Sequence, residues 1–146
     1  MFKKLLVAYD GSEDSQKALE MALELSRRFD SEIHLLTIIE QLPRYAATIG
    51  EVEEALAEIT KAIEKEQTLV CEGAREKGVE IHCRILPGHE VEAIIAYAQR
   101  GGFDTLLLGR KGRSAILRTQ SGSTAVQIST HAPCTVILVQ AGKKRD

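Results

Sequence analysis

Tryptophan is absent from this 146-residue chain, and aromatic residues make up 4% of it. With so few flat rings, a stacking platform for single-stranded nucleic acid is not expected. Its three cysteines, Cys71, Cys83 and Cys134, are odd in number and far apart, with no Cys-x-x-Cys. Neither a disulfide framework nor a zinc knuckle is expected; they read as small buried apolar residues in a reducing cytoplasm. The first apolar run, after Lys3-Lys4, ends at Asp10. It is too short for the core of a signal peptide or for a membrane span. There is no Gly-x4-Gly-Lys-Ser/Thr, which excludes a P-loop kinase or GTPase. His82 and Cys83, as neighbours on a strand, would face opposite ways. His34 and His131 have no partner at ligand spacing, so no histidine metal site is expected.

Acidic residues are also missing from one region, between Asp104 and Asp146. Up to Asp104 the chain carries twelve Lys+Arg and twenty Asp+Glu, net −8; the remainder carries seven cations and Asp146, net +6. The overall charge of −2 therefore hides a local positive field. This argues against a general nucleic-acid coat and for an anion site near Arg110, Lys111, Arg113 and Arg118.

That basic region holds the stretch from Thr105 to Thr124. Leu106-Leu107-Leu108 is an apolar run that stops at Gly109; Gly112 follows, then Gly122-Ser123-Thr124 and a helical segment to His131. Glycines let backbone N–H groups approach a ligand without an intervening Cβ. Such groups can converge on an anion, and a helix N-terminus adds more donors and a partial positive charge. The hydroxyls of Ser123 and Thr124 suit phosphate, or a metal held by phosphate.

The rest of the chain reads as alternating strands and helices. Leu5 to Ala8 is apolar on both faces, as in a central parallel strand. After Tyr9-Asp10-Gly11, Ser12 caps a helix whose Ala18, Ala22, Leu25 and Phe29 share one face. Ile33 to Ile39 is a second strand, 43–50 a loop, and Glu51 to Lys77 a helix of about 40 Å, longer than the strands it covers. Val79, Ile81, Cys83 and Ile85 alternate with polar residues, which marks an edge strand. A helix from Glu90 to Arg100, a strand from Phe103 to Leu108, a helix over Ser123–His131 and a strand from Thr135 to Val139 complete the pattern.

Such alternation predicts a single α/β domain over residues 1–141, with a parallel sheet, right-handed crossovers and a basic tail at 142–146. Two strand orders are open. Order 2-1-3-4-5 reverses between strands 1 and 3, and order 3-2-1-4-5 between strands 1 and 4. Ligands bind at the carboxyl ends of strands at the reversal. Only the second order brings Asp10 and the glycine stretch together there, and it makes strand 3 an edge. It also leaves the apolar strand Thr135–Val139 on the other edge, open to pairing with a second copy across a two-fold axis.

The spacing Gly109-x2-Gly112-x9-Gly122-Ser123 is similar to the nucleotide-binding pattern of the universal stress protein family. Val7-Ala8-Tyr9-Asp10-Gly11-Ser12 resembles that family's first strand and turn, and Ala132-Pro133-Cys134-Thr135-Val136 its last strand. The resemblance covers nearly the whole chain, in order. It implies an open, Rossmann-like α/β fold with helices on both faces, and a homodimer through the last strand. It implies ATP as ligand, with Mg2+ or Mn2+ bridging the phosphates and Ser123 able to reach that metal. Carried over by position, Asp10 would hold the adenosine, with Ala8 and Ile38 beside the adenine. Gly109, Arg110, Gly112, Arg113, Gly122, Ser123 and Thr124 would lie along the phosphates. His89 departs from the pattern, which often has an acidic residue there.

The expected function is that of a cytoplasmic, ATP-binding stress-response module acting on an unidentified protein partner, with no nucleic acid or membrane involved. No carboxylate or histidine lies between Gly109 and Thr130 to orient a water, so no catalytic residue is assigned and hydrolysis should be slow or absent. Two other readings stand beside it. One is a nucleotide-free scaffold of the same family, whose members lack the intact glycines. The other is an adenylating enzyme of the ATP pyrophosphatase type, because Asp10-Gly11-Ser12-Glu13-Asp14-Ser15 resembles the Ser-Gly-Gly-x-Asp-Ser loop; it departs at the first residue and the second glycine.

Overall fold

The structure is a computed structural model that describes residues 1–40, 48–110 and 124–142. Strands β1 (Lys4–Ala8), β2 (Glu32–Ile39), β3 (Ile81–Pro87), β4 (Thr105–Gly109) and β5 (Thr135–Val139) alternate with helices α1 (Glu13–Phe29), α2 (Ile49–Glu76), α3 (Glu90–Gly101) and α4 (Thr124–His131). The strands form one sheet in the order β3-β2-β1-β4-β5, and every pairing is parallel. This is the order chosen above on chemical grounds.

Side chains alternate across the sheet, so each strand feeds two cores. Leu5, Val7, Ile33, Leu35 and Leu107 pack against Ala18, Ala22 and Leu23 of α1 and Ala74 of α2. Leu6, Leu36, Leu106 and Leu108 pack on the other face against Ile94 and Ala98 of α3 and Ala125 and Ile128 of α4. Leu5, Leu6 and Val7 are fully buried, as a strand covered on both faces requires.

Helix boundaries follow local chemistry. Ser12 caps α1 by accepting the Ser15 N–H at 3.3 Å, and Glu13 and Asp14 sit favourably in the first turn. Thr48 caps α2 in the same way, accepting the Glu51 N–H at 3.1 Å. With 28 residues, α2 runs about 42 Å, against about 23 Å for the seven-residue β3. Its first half therefore extends past the sheet, and Ile49 is 80% exposed. The expected apolar face of α1 needs one correction. Phe29 is 51% exposed, because the last turn of the helix overhangs the short β1; its ring packs instead on Phe2, 5.3 Å between centroids.

The amino end of the sheet is tied by Asp104. Its Oδ2 accepts the backbone N–H groups of Lys3 and Lys4, both at 2.9 Å, and its Oδ1 accepts the Thr105 hydroxyl at 2.7 Å. Burial pushes this carboxyl's pKa up, but the Lys4 N–H, the Thr105 hydroxyl, the Lys3 N–H and the Met1 ammonium outweigh it and hold the pKa below its ordinary 3.8. A depressed carboxylate stabilises the fold above its unfolded pKa and loses that contribution as pH falls through the folded value.

Cysteine pairing also differs from expectation. The structure joins Cys71 of α2 to Cys83 of β3, with Cα atoms 7.5 Å apart, and leaves Cys134 as the free thiol. Chain spacing could not show this, since the contact depends on how α2 lies over β3.

Two outcomes are expected. Asp104→Asn should cost about 1 kcal/mol at neutral pH, after allowance for solvent screening, and flatten the acid limb of the melting-temperature profile below about pH 4. An unchanged acid limb would show that Asp104 does not couple β1 to β4. Thiol titration of denatured, unreduced protein should find Cys134 alone, and all three cysteines after reduction. Three thiols before reduction would remove the Cys71–Cys83 bond; because such bonds are rare in reducing compartments, the count also bears on the cytoplasmic expectation.

Candidate functional site

The sheet order reverses between β1 and β4, and the ends of both strands meet there. Ala8 pairs with Leu108 on one side and Leu36 on the other. Continuing these registers sets Tyr9 level with Gly109 and, one residue on, Asp10 opposite Ile38. Thr124 starts α4, the crossover from β4 to its parallel neighbour β5, so it too belongs to the carboxyl end. Ala8, Asp10, Ile38, Gly109, Arg110 and Thr124 are thus gathered at one end of the molecule. Gly112, Arg113, Gly122 and Ser123 lie outside the described residues, as do Lys111, Arg118 and the tail from 143 to 146.

At this end is a cavity of about 270 Å³. Tyr9 and Asp10 enter it from the end of β1, and Thr37 and Ile38 from β2. The middle of α2 supplies the outer wall, through Ile59, Ile63, Glu66 and Gln67. The apolar walls with a few polar groups are the usual make-up of a small-molecule site, although the volume is just below the common range of about 300–1,000 Å³.

The polar groups of the cavity floor are held in a chain of hydrogen bonds. The Thr37 hydroxyl donates to the Tyr9 carbonyl at 2.7 Å. The Gln67 amide donates to that hydroxyl at 3.2 Å and to the Arg84 carbonyl at 3.1 Å. Gln67 and Thr37 are both buried, and their mutual satisfaction makes burial affordable in a low-dielectric site. Sequence reading passed over both residues. The available signal was a glutamine within the apolar stripe of α2, four residues after Ile63 and three before Val70.

Asp10 is oriented by the turn it begins. Its Oδ1 accepts the Ser12 N–H at 2.9 Å, an Asx turn, and Gly11 between them takes φ +80°, a conformation that disfavours a side chain. The structure therefore shows Asp10 both starting the α1 turn and lining the cavity. Ala8 is half-buried among the residues packed on the α3 and α4 core, and it is not among those lining the cavity. Ile38 packs there as well and does line it.

Gly109 has a packing role that sequence reading did not show. A Cβ added there would come within 2.6 Å of the Asp14 Cβ and 2.8 Å of the Ser15 backbone nitrogen. The strand end thus abuts the first turn of α1. Buried Asp14 in turn accepts the Ala141 N–H at 2.9 Å, which draws the chain after β5 to the same point. Arg110 is exposed and continues the pairing, its N–H donating to the Val139 carbonyl at 2.9 Å. His89 is the exposed N-cap of α3, with no side-chain capping bond, and is not among the residues lining the cavity.

Comparison with known proteins agrees with this geometry. The model of the universal stress protein family matches residues 1–140. Universal stress protein YxiE of Bacillus subtilis is 30% identical, over 96% of this chain and 100% of its own. Universal stress protein MJ0531 of Methanocaldococcus jannaschii is 28% identical, over 99% of this chain and 85% of its own. Among solved structures, universal stress protein UspA from Lactobacillus plantarum superposes with a TM-score of 0.84 at 22% identity, over 94% of this chain and 97% of its own. A family protein from Arabidopsis thaliana with AMP bound gives 0.67 at 22% identity, over 96% and 92%. A universal stress protein in complex with cAMP gives 0.69 at 21%, over 94% and 96%. At these identities the structures show the shared fold.

The packing role of Gly109 predicts that Gly109→Ala destabilises the protein by about 1–3 kcal/mol, because the neighbouring contacts are backbone and Cβ atoms that cannot swing away. Urea unfolding at constant m-value checks this. A variant as stable as the parent would show that β4 and α1 are not in such close contact.

Proposed function

The chain belongs to the universal stress protein family, and from that premise we propose that it is an ATP-binding regulatory module. The observation that carries the reading is the cavity at the carboxyl ends of β1 and β2, lined by Asp10 and Ile38. These are two residues that the family pattern assigns to the adenosine. The intact spacing Gly109-x2-Gly112-x9-Gly122-Ser123 supports it, since such backbone suits a triphosphate. Nucleotides in two structural neighbours, AMP in one and cAMP in the other, support a nucleotide of the adenine class.

In this reading the adenosine occupies the cavity, its base against Ile38 and its sugar near Asp10. The phosphates extend past Gly109 and Arg110 toward the start of α4, where Ser123 and Thr124 offer hydroxyls beside a helix N-terminus. Mg2+ or Mn2+ would bind through the phosphates, with Ser123 within reach. The module holds its nucleotide and hydrolyses it slowly or not at all, because Gly109 to Thr130 offers no general base. Bound nucleotide would then act on contacts with a second copy or with a protein partner in the cytoplasm. The second-copy contact is assigned to β5. This edge strand carries no charge or proline, and its Leu138 is 43% exposed.

Protein purified without added nucleotide and then denatured should release ATP, identified by chromatography. Asp10→Ala should weaken ATP binding by roughly 10- to 100-fold, the loss of a hydrogen bond to a charged group. Gly122→Val should weaken it through a branched side chain placed where backbone must approach phosphate. Parent-like affinity in both variants would overturn the assignment. For the dimer, sedimentation at micromolar concentration should show two copies for the parent and one for Leu138→Lys. A monomeric parent would remove the β5 interface.

A further inference from the structure

The amino end of β2 carries chemistry that the crevice does not use. Glu32 and His34 are two residues apart on a strand and so share a face. The parallel register of β2 and β3 sets His82 beside His34. The His34 Nε2 lies 2.8 Å from the Glu32 Oε1, and the His82 Nε2 lies 3.9 Å from the same oxygen. The two imidazoles stack with centroids 4.7 Å apart and planes inclined by 29°. All three donor atoms fall within 4.8 Å of one another.

We propose that Glu32, His34 and His82 form a binding site for a first-row divalent transition-metal ion, with Zn2+ as the reference ion. Two imidazoles and a carboxylate make a borderline donor set that suits zinc, nickel or copper and not the hard cations calcium and magnesium. Donors arranged tetrahedrally around zinc at about 2.0–2.1 Å lie about 3.3 Å apart. The two measured separations bracket that spacing, and the widest pair closes by about 1.5 Å. The half-exposed side chains of Glu32 and His82 would rotate to close it. His82 and Glu32 are each half-exposed, at 50% and 49%, so an ion can enter and water can complete the coordination.

The surroundings hold part of the site in place. The His34 side chain is 18% exposed and meets the edge of Phe103 at 4.9 Å and 81°. Lys4, the register partner of Glu32, is the nearest cation from β1. Its ammonium donates to the Gly101 carbonyl at 2.6 Å and sits 4.8 Å above the Phe103 ring, and both contacts hold it toward the β4 side. The site is separate from the crevice. His34 and Ile38 are four residues apart along β2, about 13 Å at the rise of a strand. It therefore does not depend on the nucleotide reading. Bound metal would cross-link β2 to the edge strand β3.

Calorimetric titration of chelator-treated, nucleotide-free protein with Zn2+ tests this. One equivalent should bind and raise the melting temperature. His34→Asn, His82→Asn and Glu32→Gln should each weaken affinity at least about tenfold. His89→Asn combined with His131→Asn should bind as the parent does. A readout on the parent guards against misfolded variants: Co2+ should selectively broaden the ring NMR signals of two of the four histidines, His34 and His82. The proposal is overturned if the parent binds no stoichiometric zinc, or if the His89/His131 variant loses it. It is also overturned if the cobalt form shows a thiolate charge-transfer band, which would place the ion on cysteine. ATP affinity should be unchanged in His82→Asn, so failure of the nucleotide reading and failure of the metal site remain distinguishable.

Discussion

Everything at the carboxyl end depends on β1 being paired on both sides. Its five residues pair with β2 and four of them, Leu5 to Ala8, with β4, all in parallel register, and Leu5, Leu6 and Val7 are fully buried between two helix layers. A one-residue slip against either neighbour would exchange the two faces and expel one core. The register is therefore set by packing, at sequence separations of 28 residues to β2 and 100 to β4. Asp10, Ile38 and Gly109 meet at one end because three strands whose interiors are fixed by apolar contacts end together.

The two ends of the sheet are built on opposite principles. At the amino end, backbone groups are closed off by neighbouring segments. Asp104 gathers the N–H groups of Lys3 and Lys4, the Ser31 hydroxyl donates to the Phe2 carbonyl, and the Lys4 ammonium caps the Gly101 carbonyl. At the carboxyl end, α2 runs on beyond the strands, and a cavity lies between its middle and the strand ends. The Thr37–Gln67 chain of hydrogen bonds ties the middle of α2 to Tyr9 and to β3, so the outer wall is positioned by a buried polar contact. A helix that merely covered the sheet could begin about a dozen residues later.

Much of this was legible in the residues, because patterning and turn chemistry agree along most of the chain. β5 begins and ends where its apolar run does, at Thr135 and Val139. The strand order followed from asking where Asp10 and Gly109 could act together. What was not legible is what depends on lateral neighbours. Along the chain His34 has only Glu32 two residues away, and the register with β3 supplies His82. Cys71 and Cys83 read as isolated, and the seat of α2 on β3 joins them. Phe29 fits the apolar period of α1, yet the helix outlasts the strand beneath it. Periodicity reports which face a residue is on and says nothing about whether anything lies under that face.

Gly109 shows how the same limit affects a motif. In sequence it is the first glycine of a phosphate pattern, and phosphate would explain it. In the structure its missing side chain is already required: Asp14 and Ser15 occupy the space that a Cβ would fill. The close approach brings together the end of β4, the start of α1 and, through Asp14 and Ala141, the chain leaving β5. A protein of this fold would need glycine there with no ligand at all. The weight of the nucleotide reading therefore shifts from that glycine to the cavity beside it, where apolar Ile38 and Ile63 and the carboxylate of Asp10 face the same space. Packing the sheet does not demand that combination, whereas the proposed adenosine site would use it.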